Sequence, residues 1–168
     1  MISEKLLDTF NQQLKYEFEA ANIYLAMAAY CKAEDLEGFA NFFIVQAEEE
    51  RFHAMKFFNF IDEIGERIVM SGYDNPNNSY DSLEDVFTAA LKHEQKVTAQ
   101  INNLMSLALE EKHYASVNFL NWFIDEQVEE EAMFSALIAK IKRVTNSPEG
   151  IYMLDNELAQ RTFVPPAE

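Results

Sequence analysis

One stretch constrains the fold more than any other. From Phe39 to Ile64 a line of residues is spaced alternately four and three apart: Phe39, Phe43, Gln46, Glu50, His53, Phe57, Phe60 and Ile64. That spacing is the seam of a helix packed in a bundle. Two of its members ionise. Glu50 and His53 stand three residues apart, share a helix face and aim at one point. On a buried seam a charged carboxylate is costly unless something compensates it, and a metal cation is the usual compensation.

The same spacing recurs three times. A helix over about residues 3–33 has the seam Leu7, Phe10, Leu14, Glu17, Ala21, Tyr24, Ala28, Cys31, broken by Glu17 and Tyr24. A helix ending near Lys112 has Leu83, Phe87, Ala90, Glu94, Val97, Ile101, Leu104, Ala108, broken by Glu94. A fourth, over about 115–145, has Leu120, Phe123, Gln127, Glu130, Phe134, Leu137, Ile141, broken by Gln127 and Glu130. The second helix spans about 36–65, and a short amphipathic helix is expected within about 148–161 on Ile151, Leu154 and Leu158. Few glycines and prolines (4 of each in 168 residues) suit long helices. We read one domain over 1–168, all-α, with the bundle over about 3–145.

Between about 65 and 82 the periodicity stops, and Gly72, Asn75, Pro76, Asn77 and Asn78 give a loop signature. A loop this long asks for a reason. Helices of about 30 residues are ~45 Å long, and roughly 15 extended residues span that distance. The loop can therefore cross the whole bundle and leave the second and third helices parallel, the connectivity of four-helix bundles with one long crossover. Asp81, with Glu84 three residues on, is the expected cap of the third helix.

Each seam is interrupted near the middle of its helix, and helix midpoints share a level in a bundle. Glu17, Glu50, His53, Glu94, Gln127 and Glu130 are therefore expected in one core layer, with Tyr24 alongside. Four carboxylates and one imidazole in an apolar shell cannot all ionise without a cation. An oxygen-rich set with one histidine suits a pair of ions such as iron or manganese. Any one of these residues alone would more often be a satisfied core polar group; the coincidence of four seams reverses that. Glu49, Glu126 and Glu129 lie on flanking faces, and spacing alone leaves open whether they form an adjacent cation site or a solvated surface. Trp122, beside the seam, reads as packing, and His93 and His113 as exposed.

The net charge of −16 weighs against nucleic-acid binding and favours cations. A single cysteine, Cys31, excludes a disulfide framework or a cysteine-built metal site. No apolar run approaches the ~20 residues of a membrane span. With no signal-peptide pattern at the N-terminus, a soluble cytoplasmic protein is expected.

Glu17, Tyr24, Glu50-x-x-His53, Glu94 and Gln127 in a four-helix chain of this length resemble the diiron ferroxidase centre of ferritins, and Glu49, Glu126, Glu129 and Glu130 match the third iron site of the bacterial non-haem members. The likeness covers essentially the whole chain. Gln127, Glu130 and Phe52 separate it from bacterioferritin, which would carry Glu, His and a haem-ligating Met there, so no haem is expected. The resemblance implies a homo-oligomeric cage of twenty-four subunits that oxidises Fe(II) with dioxygen or hydrogen peroxide and stores Fe(III) mineral. It implies that Glu17, Glu50 and His53 hold one iron, with Glu50 bridging, and that Glu94 and Glu130 hold the second. Gln127 would orient bound oxygen or water, and Tyr24 could supply an electron. The rivals are a non-storage diiron carboxylate enzyme and a metal-free bundle with a buried polar network.

Overall fold

The computed structural model describes residues 2–166, so the ends of the domain read from sequence, Met1, Ala167 and Glu168, lie outside the described residues. Five helices follow in order: α1 (Glu4–Ala33), α2 (Glu37–Glu63), α3 (Leu83–Glu110), α4 (Tyr114–Val144) and α5 (Pro148–Leu158). There is no strand among the described residues, and no helix there is long and apolar enough to cross a membrane.

Helix direction follows from paired contacts. Ser3, ahead of α1, bonds Glu111, just past α3, while Tyr30 near the end of α1 meets Tyr80 before α3. The two helices are therefore antiparallel. Phe42 meets Phe134, and Phe60 meets Phe119, so α2 and α4 are antiparallel too. A tight turn through Asp35 (φ 58°) reverses the chain between α1 and α2. Both α2 and α3 thus oppose α1, and they run parallel. The crossover lies along α1: the Asn11 amide donates to the Arg67 carbonyl (3.2 Å) and accepts from the Val69 N–H (2.7 Å), and Tyr80 closes the far end on Tyr30.

Caps explain the helix starts. Ser3, Ser82 and Ser147 each accept a backbone N–H from the first turn of α1, α3 and α5. The cap of α3 is therefore Ser82 and not Asp81; the Asp81 N–H is instead accepted by Asp85 at 3.1 Å. α2 has no cap from its own Leu36. Asp155 of α5 supplies it, accepting from the Gly38 and Phe39 N–H groups at 2.8 and 3.0 Å. A Cβ on Gly38 would stand 1.7 Å from the Asp155 carbonyl oxygen, so this close approach requires glycine. The expected fifth helix stops at Leu158, and residues 159–161 turn back onto α2.

The seams of α2, α3 and α4 are buried as read, apart from half-buried Ile64 and Leu83 at their ends. On α1, Leu7 and Ala21 are only half-buried, and Leu6 and Ala20 take their places inside. The buried face of α1 is wider than a single seam: Leu6, Gln13, Ala20 and Met27 form a second buried line beside Phe10, Glu17, Tyr24 and Cys31. The core falls into two apolar clusters. One gathers Tyr24, Phe39, Phe43, Phe87 and Phe134; the other gathers Phe10, Phe57, Ile101, Leu104 and Phe123.

Candidate metal centre

Between the two clusters lies a polar layer. Glu17, Gln46, Glu50, His53, Glu94, Gln127 and Glu130 are all buried, with at most 4% of each exposed. Glu17 comes from α1, Glu50 and His53 from α2, Glu94 from α3, and Gln127 and Glu130 from α4. Periodicity explains why: each stretch of polar residues sits on a seam that is phenyl or aliphatic on either side of it, as Phe43 and Phe57 flank Gln46, Glu50 and His53, and Phe123 and Phe134 flank Gln127 and Glu130.

Glu17, Glu50 and His53 each offer a ligand atom, and all three atoms lie within 4.8 Å of one another. His53 Nδ1 stands 3.4 Å from Glu50 Oε2 and 3.9 Å from Glu17 Oε2. Its Nε2 faces Glu126 Oε1 at 3.6 Å, the outer carboxylate that commonly fixes the tautomer of a ligating histidine. Gln13 donates to the other Glu17 oxygen at 2.7 Å.

The other half of the layer is tied internally. The Tyr24 hydroxyl donates to Glu94 Oε1, and Gln127 Nε2 donates to Glu94 Oε2 at 3.1 Å. Gln46 Nε2 joins the halves, donating to Glu130 Oε2 at 2.9 Å and to Glu50 Oε1 at 3.3 Å. Spacing had put Gln46 on the seam, yet its polar side chain drew no site role from sequence; Gln13, off the seam, gave no signal.

Protonation follows from burial and crowding. Burial and the facing Glu50 push Glu17 well above the usual carboxyl range. Burial works against charge on Glu50 as well, but the His53 imidazolium offsets it and holds Glu50 below its ordinary value. Burial would also lower His53; the carboxylates of Glu50, Glu126 and Glu17 raise it well above. Burial, with Glu50 nearby, takes Glu94 from 4.5 to about 8, against the pull of the Tyr24 and Gln127 hydrogen bonds. Burial and the Glu94 and Glu50 charges push Glu130 far up. Protons and cations compete for the same oxygens and imidazole nitrogen of this layer, so a cation binds by displacing protons.

The flanking residues are not drawn into such a group. Glu49 is half-buried and bound by Arg161 at 2.8 Å. Glu126 is half-buried against His53, and Glu129 is exposed. The expectation for His93 is corrected: its ring packs edge-on against Tyr24, 5.7 Å between centroids, because the α3 face beside Glu94 lies under the crossover. Its Nε2 is enclosed without a partner, and burial lowers its imidazole. His113 is half-buried as well, its Nδ1 2.7 Å from the Ser116 hydroxyl at the start of α4. Trp122 packs edge-on to His53 at 5.4 Å, under the Lys56 ammonium.

The Ferritin-like domain family matches residues 7–144. The chain belongs to the ferritin family. It is 45% identical over 163 residues to a bacterial non-heme ferritin of Staphylococcus aureus, covering 97% of this chain and 98% of that one. A bacterial non-heme ferritin of Staphylococcus saprophyticus is 44% identical over the same span. Among solved structures, this ferritin superposes on a ferritin of Archaeoglobus fulgidus engineered into a closed form, with a TM-score of 0.96 and 38% identity. That match covers 98% of this chain and all of the other. The open-pore ferritin of the same archaeon gives a TM-score of 0.95 at 38% identity, over 96% of this chain.

Proposed function

We propose that this ferritin stores iron by oxidising Fe(II) at a diiron ferroxidase centre inside each subunit. The observation that carries the reading is the buried layer of four carboxylates and one imidazole drawn from four helices. Iron is here the substrate. Glu17, Glu50 and His53 bind one Fe(II), with Glu50 shared; Glu94 and Glu130 bind the second. Gln127 and Tyr24 hold Glu94 and orient oxygen or water near it. Protons leave the layer as the ions enter, so entry does not add their full charge to an apolar core.

Two Fe(II) give two electrons together. With dioxygen and two protons the products are two Fe(III) and hydrogen peroxide; with peroxide and two protons, two Fe(III) and two waters. The oxidised product hydrolyses and moves to the cavity of a homo-oligomeric cage of twenty-four copies. The acidic surplus (−16) supports attraction of cations to the shell. A reducing cytoplasm fits the single buried cysteine. Glu49, Glu126, Glu129 and Glu130 serve as a third, weaker iron position on the flank of the centre.

Anaerobic Fe(II) titration followed by oxygen tests this. The expected outcome is a coloured transient saturating at about two irons per subunit, from a particle of several hundred kilodaltons. A small oligomer with the same transient would favour a non-storage diiron enzyme, and no transient would leave a metal-free polar bundle.

A further inference from the structure

Arg161 follows α5, and its guanidinium reaches the edge of the polar layer. It lies over the Phe42 ring, 4.3 Å from the centroid. Nη1 donates to the Phe42 carbonyl at 3.1 Å, and Nη2 donates to Gln46 Oε1 at 2.9 Å and Glu49 Oε2 at 2.8 Å. Asn41 fixes the backbone of this turn by donating to the Leu158 and Arg161 carbonyls.

A guanidinium offers donors and no acceptor. Gln46 must therefore show Arg161 its carbonyl oxygen, and its amide nitrogen must face the other way. That nitrogen meets Glu130 Oε2 and Glu50 Oε1. The opposite rotamer would set N–H groups against the guanidinium and an oxygen against the ionised Glu50. Gln46 is fully buried, so no solvent relieves either clash. On the outer side, the same cation pairs with Glu49, and it keeps its charge at any working pH, since arginine does not lose its proton in proteins.

Resting on the iron reading above, we infer that Arg161 is a positioning residue for the centre. Through Gln46 it holds Glu50 and Glu130 joined across the layer before an ion arrives. By occupying Glu49 it keeps the flanking acidic position a weak ion site, which loads only as the guanidinium is displaced. The C-terminal turn is thereby coupled to ion occupancy at a centre built entirely on other helices.

Zn(II), which does not oxidise, allows the test by titration calorimetry on the assembled protein, with melting temperature recorded for each variant. Arg161→Gln should weaken the central equivalents by about tenfold, the low end of the roughly 10–100-fold cost of losing an outer partner. It should tighten the equivalent that uses Glu49 by a similar factor. Arg161→Lys keeps a charge near Glu49 but lacks the fork whose Nη1 is fixed on the Phe42 carbonyl while Nη2 is aimed at Gln46 and Glu49; it should restore the weak flanking equivalent and not the central ones. In a Gln46→Leu background, Arg161→Gln should move the flanking equivalent alone. If Arg161→Gln binds every equivalent as the unaltered protein does, or weakens all alike with a matching drop in melting temperature, Arg161 merely packs the C-terminal turn and the inference fails. Unaltered protein that takes up no Zn(II) overturns the iron reading and this inference with it.

Discussion

The two halves of the polar layer are built from the same residue type and prepared differently. On the α1–α2 side, Glu50 is held ionised by His53, and the open oxygens of Glu17 and Glu50 converge with Nδ1 on one point. On the α3–α4 side, Glu94 is engaged by Tyr24 and Gln127, is raised to about 8, and shares its surroundings with Glu130, which burial also raises. A histidine accounts for the contrast. A fixed positive partner keeps a neighbouring carboxylate charged, whereas carboxylates facing each other in a dry core keep protons. The first half presents one ionised carboxylate to a cation, with the protons of Glu17 and His53 still to be displaced; the second gains its missing charge once a cation occupies the first. Ordered filling is the expected consequence.

The largest test of this contrast removes the carboxylate proposed to serve both halves. Glu50→Ala should abolish binding in both halves and lower rapid Fe(II) oxidation by at least about 100-fold, above the range for an outer partner. Stopped-flow absorbance on assembled protein checks it; equal rates in variant and parent would break the site assignment. Glu94→Gln should spare the first ion and lose the second, so that anaerobic Co(II) titration counts one central equivalent in place of two. Loss of both equivalents there would mean the halves fill together.

The pH dependence has a definite sign. A carboxyl raised in the folded state binds its proton more tightly folded than unfolded, so its stabilising contribution is present at low pH and lost as pH rises through the folded value. For Glu94 that window runs from 4.5 to about 8. His53, also raised, acts in the same direction, and Glu50, lowered, opposes them. Ion-free protein should therefore melt at lower temperature at pH 8 than at pH 6, with ion affinity rising over the same interval as protons become easier to displace. A melting temperature that rises with pH in ion-free protein would show that the second half is already ionised.

The smallest effect belongs to Tyr24→Phe. It removes one donor to Glu94 and keeps the ring stacked between Phe43 and Phe134. One hydrogen bond to a charged group is worth about 1.5–3 kcal/mol, so the second equivalent should weaken by roughly 10–100-fold with the first unchanged. A change confined to the first would invert the comparison.

Helical periodicity is local, and it made the bundle readable. Residues on one face of α2, α3 or α4 share it whatever packs opposite, so Phe43, Glu50, His53, Glu94 and Glu130 stood on their seams before any neighbour was known. The length of the crossover likewise allowed α2 and α3 to run parallel, which a short loop cannot, and the contacts of α1 with both ends of α3 decided it. His93 was misjudged for the complementary reason: its exposure depends on a loop that lies over α3, and no spacing within α3 reports that.

On α2, α3 and α4 the sequence by itself determined which side chains face inward and at what height, since 3.6 residues per turn leaves little choice. Tertiary structure decided what those side chains meet. Asp155 caps α2 from 116 residues away, and Arg161 sets the Gln46 amide from 115. Such contacts depend on where separate helices dock, and docking is governed by the shape of whole surfaces, which no local repeat encodes.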